Sequence, residues 1–442
     1  MKAGIFHYKM GTDGVSLEIR KRAKILKKLG LKPYFIAGEG DADFIIPEIS
    51  TANRSIMRFN SYAFDGEDEN KVKKIFNRLE RKAEKNLSKV FEELKPGFII
   101  VHNMFSMAYN LPASYALMRI IQQRNIKTEA VHHDFWWDRK IFKSHLFFIR
   151  DLMLDILPPN IPQIVSHVVI NSIERERLLR RRGIKAKIFG DLFEFEEPDG
   201  HSKEKIKKLL KLKSEVIFLQ ATRIVKRKAI EVSIDLVSEF KKISEKNAVI
   251  VLTNPPEKYI DREYLEVLKE YAKERGVKLI EAYRIAKSLA FFEFYKIADF
   301  ALYPTVKEGF GNQFLEATYY KVLPIVFEYE VFRKDLKKEG YKYISLGQRY
   351  KSANGMVKIS EKRLHKAAKK VLYYIKHPKR YKEAVEMNYR IASKYHSPAV
   401  LENYYALLLA SIKMEKALYN LKDIINLPKT KWNDKIKKII RI

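Results

Sequence analysis

The 442-residue chain contains no cysteine. That excludes a disulfide framework, a thiolate-held zinc or iron–sulfur cluster and a cysteine nucleophile. It also fits a reducing cytoplasm. Nowhere does the chain run through about 18 apolar residues in succession, so no membrane-spanning helix is expected. The most apolar long segment, Ile141 to Leu157, is broken by Lys143, His145, Arg150, Asp151 and Asp155. The first residues, Met1 to His7, lack the apolar stretch of a signal peptide. No cluster of side chains has metal-ligand spacing, so neither an obligatory metal nor another cofactor is expected. Acidic residues are outnumbered: 54 Asp and Glu against 86 Lys and Arg, a formal charge of +32. Such an excess attracts nucleic acid, an anionic membrane or phosphorylated small molecules. The cations are spread along the chain and no RNA- or DNA-binding module is visible, which argues against nucleic acid.

What is present describes a folded enzyme-sized protein. Hydrophobic residues reach 46% and aromatics 12%, enough for two or three domains with their own cores. Charged residues reach 32%, a composition expected of a thermophile. Short apolar runs alternate with helical patterns. Lys2 to Tyr8, Tyr34 to Ala37, Phe98 to His102, Thr128 to His132 and Val168 to Asn171 read as strands. Val15 to Leu29 reads as a helix ending at Gly30. The alternation pauses in the acidic, turn-rich stretch holding Asp191, Glu194, Glu196, Glu197, Pro198, Asp199 and Gly200. It resumes with strands at Val216 to Ala221, Ala248 to Thr253, Lys278 to Glu281, Phe300 to Tyr303 and Leu323 to Phe327. The expected organisation is an α/β domain over 1–190, a second over 191–385 and helices over 386–442. Parallel sheets of this kind bind ligands at the carboxyl ends of their strands.

Two segments carry the strongest chemical signals. Tyr303 to Ala317 runs from a strand through a loop with Glu308, Gly309, Phe310 and Gly311 into a helix starting near Asn312. Glycines let backbone approach a ligand, and a helix N-terminus offers N–H groups to phosphate or hydroxyls. Glu316 lies one turn inside and leans back toward that end. Read alone, the plainer account is a glycine turn with a solvated glutamate. Gln220 to Ala229 runs from a strand into a loop with Arg223, Lys226, Arg227 and Lys228, which would neutralise a diphosphate or lie solvated.

Together, their order and spacing resemble the family-4 retaining glycosyltransferases of the GT-B fold. There an Arg and a Lys five residues apart, here Arg223 and Lys228, precede by about 80 residues a Glu-x(7)-Glu, here Glu308 and Glu316. Gly11-Thr12-Asp13-Gly14-Val15-Ser16-Leu17-Glu18 resembles the family's glycine loop after the first strand. His133-Asp134-Phe135 resembles its histidine position, and Asn171-Ser172 a strand-to-serine step. More narrowly, Gly11 to Glu18, His133 to Arg139 and Ala221 to Val225 resemble the subgroup containing mannosylglucosylglycerate synthases, with Asp138 where Glu is usual. Ala229 replaces the usual glycine, which should be harmless. Asn312 and Gln313 replace an apolar pair, which should affect sugar recognition.

The resemblance implies two facing Rossmann-like domains with a cleft between them and a helical C-terminal extension. It implies a nucleotide-diphospho-sugar as donor, a hydroxyl acceptor on a small glycoside or cell-surface glycan, and retention through a leaving phosphate that deprotonates the acceptor. Arg223 and Lys228 would hold the diphosphate, and Glu316 the ribose. Glu308 and the segment Gly309, Phe310, Gly311, Asn312 and Leu315 would hold the sugar. Gly14 would let the first domain approach the diphosphate, and His133 would lie beside the sugar. A GT-B-fold epimerase acting on the donor alone is the alternative, with a basic nucleic-acid-binding protein a more distant one. Elsewhere, His102 and Asn103 could line an acceptor site. Trp136 and Trp137 either stack on a sugar or pack, and His132 is expected to be buried. Ile141 to Leu157 faces lipid or acceptor, or packs between domains. The family's last helix returns to the first domain, a role suited to Pro398 to Met414. The basic tail, with Trp432, Ile436, Ile439 and Ile440 on one helical face, either packs or lies on an anionic membrane.

Overall fold

A computed structural model describes residues 1–425 apart from 67, 196–199 and 354, with side chains described as far as residue 415. Part of the acidic boundary (Glu196, Glu197, Pro198 and Asp199) and the tail residues Trp432, Ile436, Ile439 and Ile440 lie outside the described residues. The chain divides into two units. One holds Met1–Val169, Arg177–Phe189 and the chain from Pro398 onward; the other holds Ile170–Glu176 and Gly190–Ser397.

The first unit is built on a parallel sheet of seven strands among the described residues. They are β1 (Lys2–His7), β2 (Lys32–Ala37), β3 (Phe44–Ile45), β4 (Phe98–His102), β5 (Thr128–His132), β6 (Ile164–Val169) and β7 (Lys187–Ile188), in the order β3-β2-β1-β4-β5-β6-β7. The central strands β4 and β5 are buried along their whole length, as parallel strands covered by helices on both faces must be. Between β1 and β2 runs the helix Gly14–Lys28. It begins where the Asp13 carboxylate accepts the amides of Val15 and Ser16, and its last turn carries Lys27 and Lys28, both favourable ends.

The second unit repeats the scheme with β8 (Val216–Gln220), β9 (Ala248–Leu252), β10 (Lys278–Glu281), β11 (Phe300–Tyr303), β12 (Leu323–Val326) and β13 (Ile344–Ser345), in the order β10-β9-β8-β11-β12-β13. Two further strands, β14 (Lys351–Ala353) and β15 (Met356–Lys358), pair antiparallel. Each sheet reverses its strand order once, between β1 and β4 and between β8 and β11. Such a reversal parts the loops at the strand carboxyl ends and leaves a crevice there.

Strand β5 carries a buried carboxylate, Glu129. The helix Pro398–Ile425 is fastened through it. Tyr404 donates its hydroxyl to Glu129 Oε2 at 2.6 Å and Tyr405 donates to Oε1 at 2.9 Å. Arg22, from the helix Gly14–Lys28, reaches Glu129 at 3.4 Å and the Tyr405 oxygen at 2.8 Å. Burial pushes the Glu129 carboxyl above its ordinary range against the opposing pull of Arg22 and the two hydroxyls. The pairing is therefore conditional: each member answers a polar group that water cannot reach.

Removing Arg22 leaves that carboxylate stranded. Arg22→Met should lower stability to chemical denaturation by about 3 kcal/mol or more, and Tyr405→Phe by about 1–3 kcal/mol. Fluorescence of Trp136 and Trp137 reports on this unit. Losses below about 0.5 kcal/mol in both variants, the range of ordinary surface substitutions, would show that the helix is held by apolar packing alone.

Candidate active site

The strand reversal of the second sheet brings the two signal segments together. The loop after β8 and the loop after β11 lie side by side at the strand carboxyl ends. Val306 donates its amide to the Arg227 carbonyl at 3.0 Å, which ties the loops through backbone. Their side chains converge on Glu308 Oε1. Arg227 Nη1 donates to it at 2.6 Å, the Thr305 hydroxyl at 3.1 Å, and the Lys228 ammonium is in direct contact. Among the described residues no hydrogen bond or ion pair falls on Oε2. Burial would push the Glu308 carboxyl up, but Lys228 and Arg227 outweigh it and hold the group below the usual carboxylate range. Glu308 is thus an ionised, mostly buried acceptor with one oxygen clamped and the other open.

Lys228 is 8% exposed and sits 5.5 Å from the centre of the Tyr303 ring. Burial pulls its ammonium below the ordinary lysine range, and Glu308 pulls it back. Arg223, by contrast, is more than half exposed and pairs loosely with Glu257 at 3.6 Å. A solvated pair of that kind contributes little stability, so Arg223 can leave it for a stronger anion. Behind the loop, Gln220 donates to the Thr222 hydroxyl at 2.7 Å and accepts from Ser233 at 2.8 Å, all buried. Ala229 has φ 49° and ψ 48° and is fully buried. That left-handed conformation costs a residue with a Cβ about 1–2 kcal/mol. The expectation that alanine replaces the family's glycine there without consequence is corrected accordingly.

The glycine loop after β11 is fixed by its neighbours. Asn171 donates to the Gly309 carbonyl at 2.7 Å, and Tyr329 donates to the Phe310 carbonyl at 2.5 Å. A Cβ on Gly311 would lie 2.6 Å from the Tyr329 oxygen, and one on Gly190 would lie 2.3 Å from the Phe310 ring. Packing within the unit therefore already requires these glycines, whatever a ligand adds. Leu315 is fully buried in the core, which removes its side chain from contact with a ligand arriving from solvent, contrary to expectation. Phe310 is nearly as buried. Gln313 also turns inward, donating to the Leu302 carbonyl at 3.3 Å, so of the pair only the exposed Asn312 faces water. Glu316 is half-buried in the helix Asn312–Tyr319 and accepts from Tyr295 at 3.2 Å.

In the first unit, Gly14 is exposed, and a Cβ there would meet nothing within 4 Å. The fold does not require glycine at that position. Three histidines gather at the carboxyl ends of the central strands. His7 donates from Nδ1 to the His102 carbonyl at 3.1 Å, and His102 Nδ1 shares a proton with His133 Nε2 at 3.1 Å. The His133 amide donates to Asn103 at 2.8 Å. Next to them His132 and His167 share a proton at 3.0 Å. Burial lowers all five imidazoles, His133 to about 3 and His167 to about 4. Trp136 and Trp137 pack: Trp137 stacks on Phe135 at 4.3 Å and Trp136 donates to the Leu157 carbonyl at 3.1 Å. The histidine array was legible only in part, because nothing in the sequence separates His7 and His167 from ordinary strand residues. Arg227 and Thr305 gave a weak signal, as one cation among four and a loop threonine.

Among the described residues no group of three or more His, Asp or Glu could hold a metal ion, and no helix is long and apolar enough to cross a membrane. Residues 201–389 match the family model described as Glycosyl transferases group 1. Over 413 residues the chain is 35% identical to the mannosylglucosylglycerate synthase of Petrotoga mobilis, covering 86% of this chain and 94% of that one. Over 427 residues it is 36% identical to the protein of the same name from Thermotoga maritima, covering 91% and 98%. Of solved structures, a glycosyltransferase from Rickettsia africae superposes with a TM-score of 0.60 at 13% identity, covering 93% of this chain and 98% of that one. The chain belongs to the group 1 glycosyl transferases. It is a glycosyltransferase with the two Rossmann-like units of the GT-B fold.

The five histidines give this site a pH signature. Each has its folded pKa depressed, so its contribution is present above the unfolded value of about 6.5 and is lost as pH falls. Below that value the unfolded chain takes up protons that the folded unit refuses. The first unit should lose up to about 1.4 kcal/mol per histidine for each pH unit. A tryptophan-detected melting temperature should fall steeply between pH 6.5 and 5, and His167→Gln should flatten the slope. A flat wild-type profile over that interval would contradict the burial of neutral imidazoles.

Proposed function

We propose that the chain transfers a hexose, with retention of anomeric configuration, from a nucleotide-diphospho-sugar to a hydroxyl of a small glycoside. The observation that carries this is the charged cluster at the β8–β11 strand reversal: a buried lysine and an exposed, loosely paired arginine beside an ionised carboxylate with one open oxygen. Arg223 and Lys228 neutralise the diphosphate and the charge that grows on it as the sugar leaves. Glu308 Oε2 accepts a hydroxyl of the transferred sugar, with the backbone of Gly309, Phe310, Gly311 and Asn312 lining the same loop. Glu316 bonds the ribose. Gly14 admits the diphosphate to the first unit's backbone, and His133, kept neutral by burial, bonds the sugar. The leaving phosphate takes the acceptor proton, and no metal is required. The names of the two relatives support mannose as the sugar and a glucosylglycerate as the acceptor, a compatible-solute product in a thermophile. They favour transfer over epimerisation. We place the reaction in the cytoplasm. Its basic surface attracts anionic substrates, or the inner face of a membrane peripherally, rather than nucleic acid.

Thermal-shift screening of UDP-, GDP- and ADP-sugars should find one base whose sugar stabilises the chain by about 2.7 kcal/mol at 100 times its Kd. Arg223→Ala and Lys228→Met should each lower turnover about 100-fold or more. Near-normal turnover in both would overturn the diphosphate assignment. Glu316→Ala should mainly raise KM for the donor, because ribose contacts are alike in ground and transition states, whereas Glu308→Gln should mainly lower kcat. One shared pattern would refute that division of roles.

A further inference from the structure

We propose that Arg227 is a positioning residue: it keeps Glu308 in place and ionised while Lys228 turns from Glu308 to the donor's phosphate. The inference rests on the donor-site reading given above. Its starting point is that two cations meet on one carboxylate oxygen while the other oxygen has no partner among the described residues. One cation would satisfy a surface carboxylate. A mostly buried one that must surrender a partner to a ligand needs a second.

The two cations differ in how they are held. Lys228 is a point charge on a flexible stem, and Glu308 is its only carboxylate partner among the described residues. An arriving diphosphate competes directly for it. Arg227 is held from both ends. Its Nη1 also donates to the Lys307 carbonyl at 2.9 Å, and its own carbonyl accepts from the Val306 amide at 3.0 Å. Both bonds run to the loop that carries Glu308. Arg227 therefore moves with Glu308, whereas Lys228 need not. Once Lys228 shares its charge with phosphate, Arg227 is what stops Glu308 from taking a proton or swinging toward another donor, and what keeps Oε2 on the open side.

Around Glu308 the charged and titratable groups are Arg227 and Lys228 from the loop after β8, Tyr303 at the end of β11 and Tyr329 beyond β12. Burial raises both tyrosines far above their ordinary range, so they remain neutral while Glu308 titrates. Arg223 acts on Lys228. Loss of Arg227 thus removes one of two cations that stabilise the carboxylate form, and the acid limb of activity should shift toward higher pH.

The test uses the full chain with Arg227→Met and Arg227→Lys, assayed in both the wild-type and Glu308→Gln backgrounds. Arg227→Met should lower kcat about tenfold, the loss expected when one charge-assisted contact to the reacting sugar is misplaced. Donor KM should change less than about threefold, and the acid limb of kcat should move up. Arg227→Lys should recover part of both effects. In the Glu308→Gln background, Arg227→Met should cost little more, because the two residues act as one unit. Calorimetry with UDP and GDP should show near-normal binding by Arg227→Met and weakened binding by Lys228→Met. An increase of about tenfold in donor KM with kcat intact would make Arg227 a phosphate ligand and overturn the inference. An unmoved acid limb, or additive losses with Glu308→Gln, would overturn it too. If Lys228→Met and Glu308→Gln themselves retain wild-type turnover, it is the donor-site reading that falls.

Discussion

An ionised carboxylate away from water must have its charge answered, and the second unit is arranged around that requirement at Glu308. The answer comes from a different segment, some 80 residues earlier in the chain. Only the strand order β10-β9-β8-β11 places the two carboxyl-end loops side by side. The ion pairs therefore depend on the sheet, and the loops depend on the ion pairs. Lys228 could not be buried without Glu308, and Glu308 could not remain ionised without Lys228 and Arg227. For the donor site proposed above, charges already in place would be the sense in which preorganisation lowers a barrier.

Polar burial also organises the first unit, to another end. Glu129, Arg22, Tyr404 and Tyr405 join strand β5, the helix after β1 and the helix from Pro398. Here the charges and hydroxyls answer one another away from water, although the buried Arg22 Nε has no partner among the described residues, so the network fixes structure. The histidines on the neighbouring strands stand between these cases. His102 and His132 are enclosed, whereas His133 is partly exposed. The His133 ring stacks on His102 and shares a proton with it, so its orientation is fixed by the array.

Much of this was legible in the sequence, and the failures have physical causes. Strands such as Phe98 to His102 and Phe300 to Tyr303 stand out because fully buried parallel strands are short, apolar and β-branched or aromatic. The expected strand at Val168 to Asn171 is displaced from the actual β6, Ile164–Val169. Ser166 and His167 read as polar, yet are buried because Tyr404 and His132 satisfy them, information held in distant segments. The two-residue strands β3, β7 and β13 are too short to carry a period. At the site, Arg223, Lys228, Glu308 and Glu316 were singled out by the resemblance of the two segments taken together, since each segment read alone fits a solvated loop as well. Direction was not readable: Leu315 and Gln313 belong to the same motif, yet both turn inward. Nor did the cation run 223–228 reveal which member would be buried and which exposed, since that follows from the turn at Ala229.

The central claim is that the Lys228–Glu308 pair is a donor site in its unliganded state. A crystal structure of the chain with a nucleoside diphosphate and the hexose it carries tests this most directly. The account predicts that a phosphate oxygen lies within hydrogen-bonding distance, about 2.7–2.9 Å, of Lys228 Nζ, with a sugar hydroxyl on Glu308 Oε2. A donor bound with its phosphates away from the loop after β8, and with the Lys228–Glu308 pair closed and untouched, would contradict it.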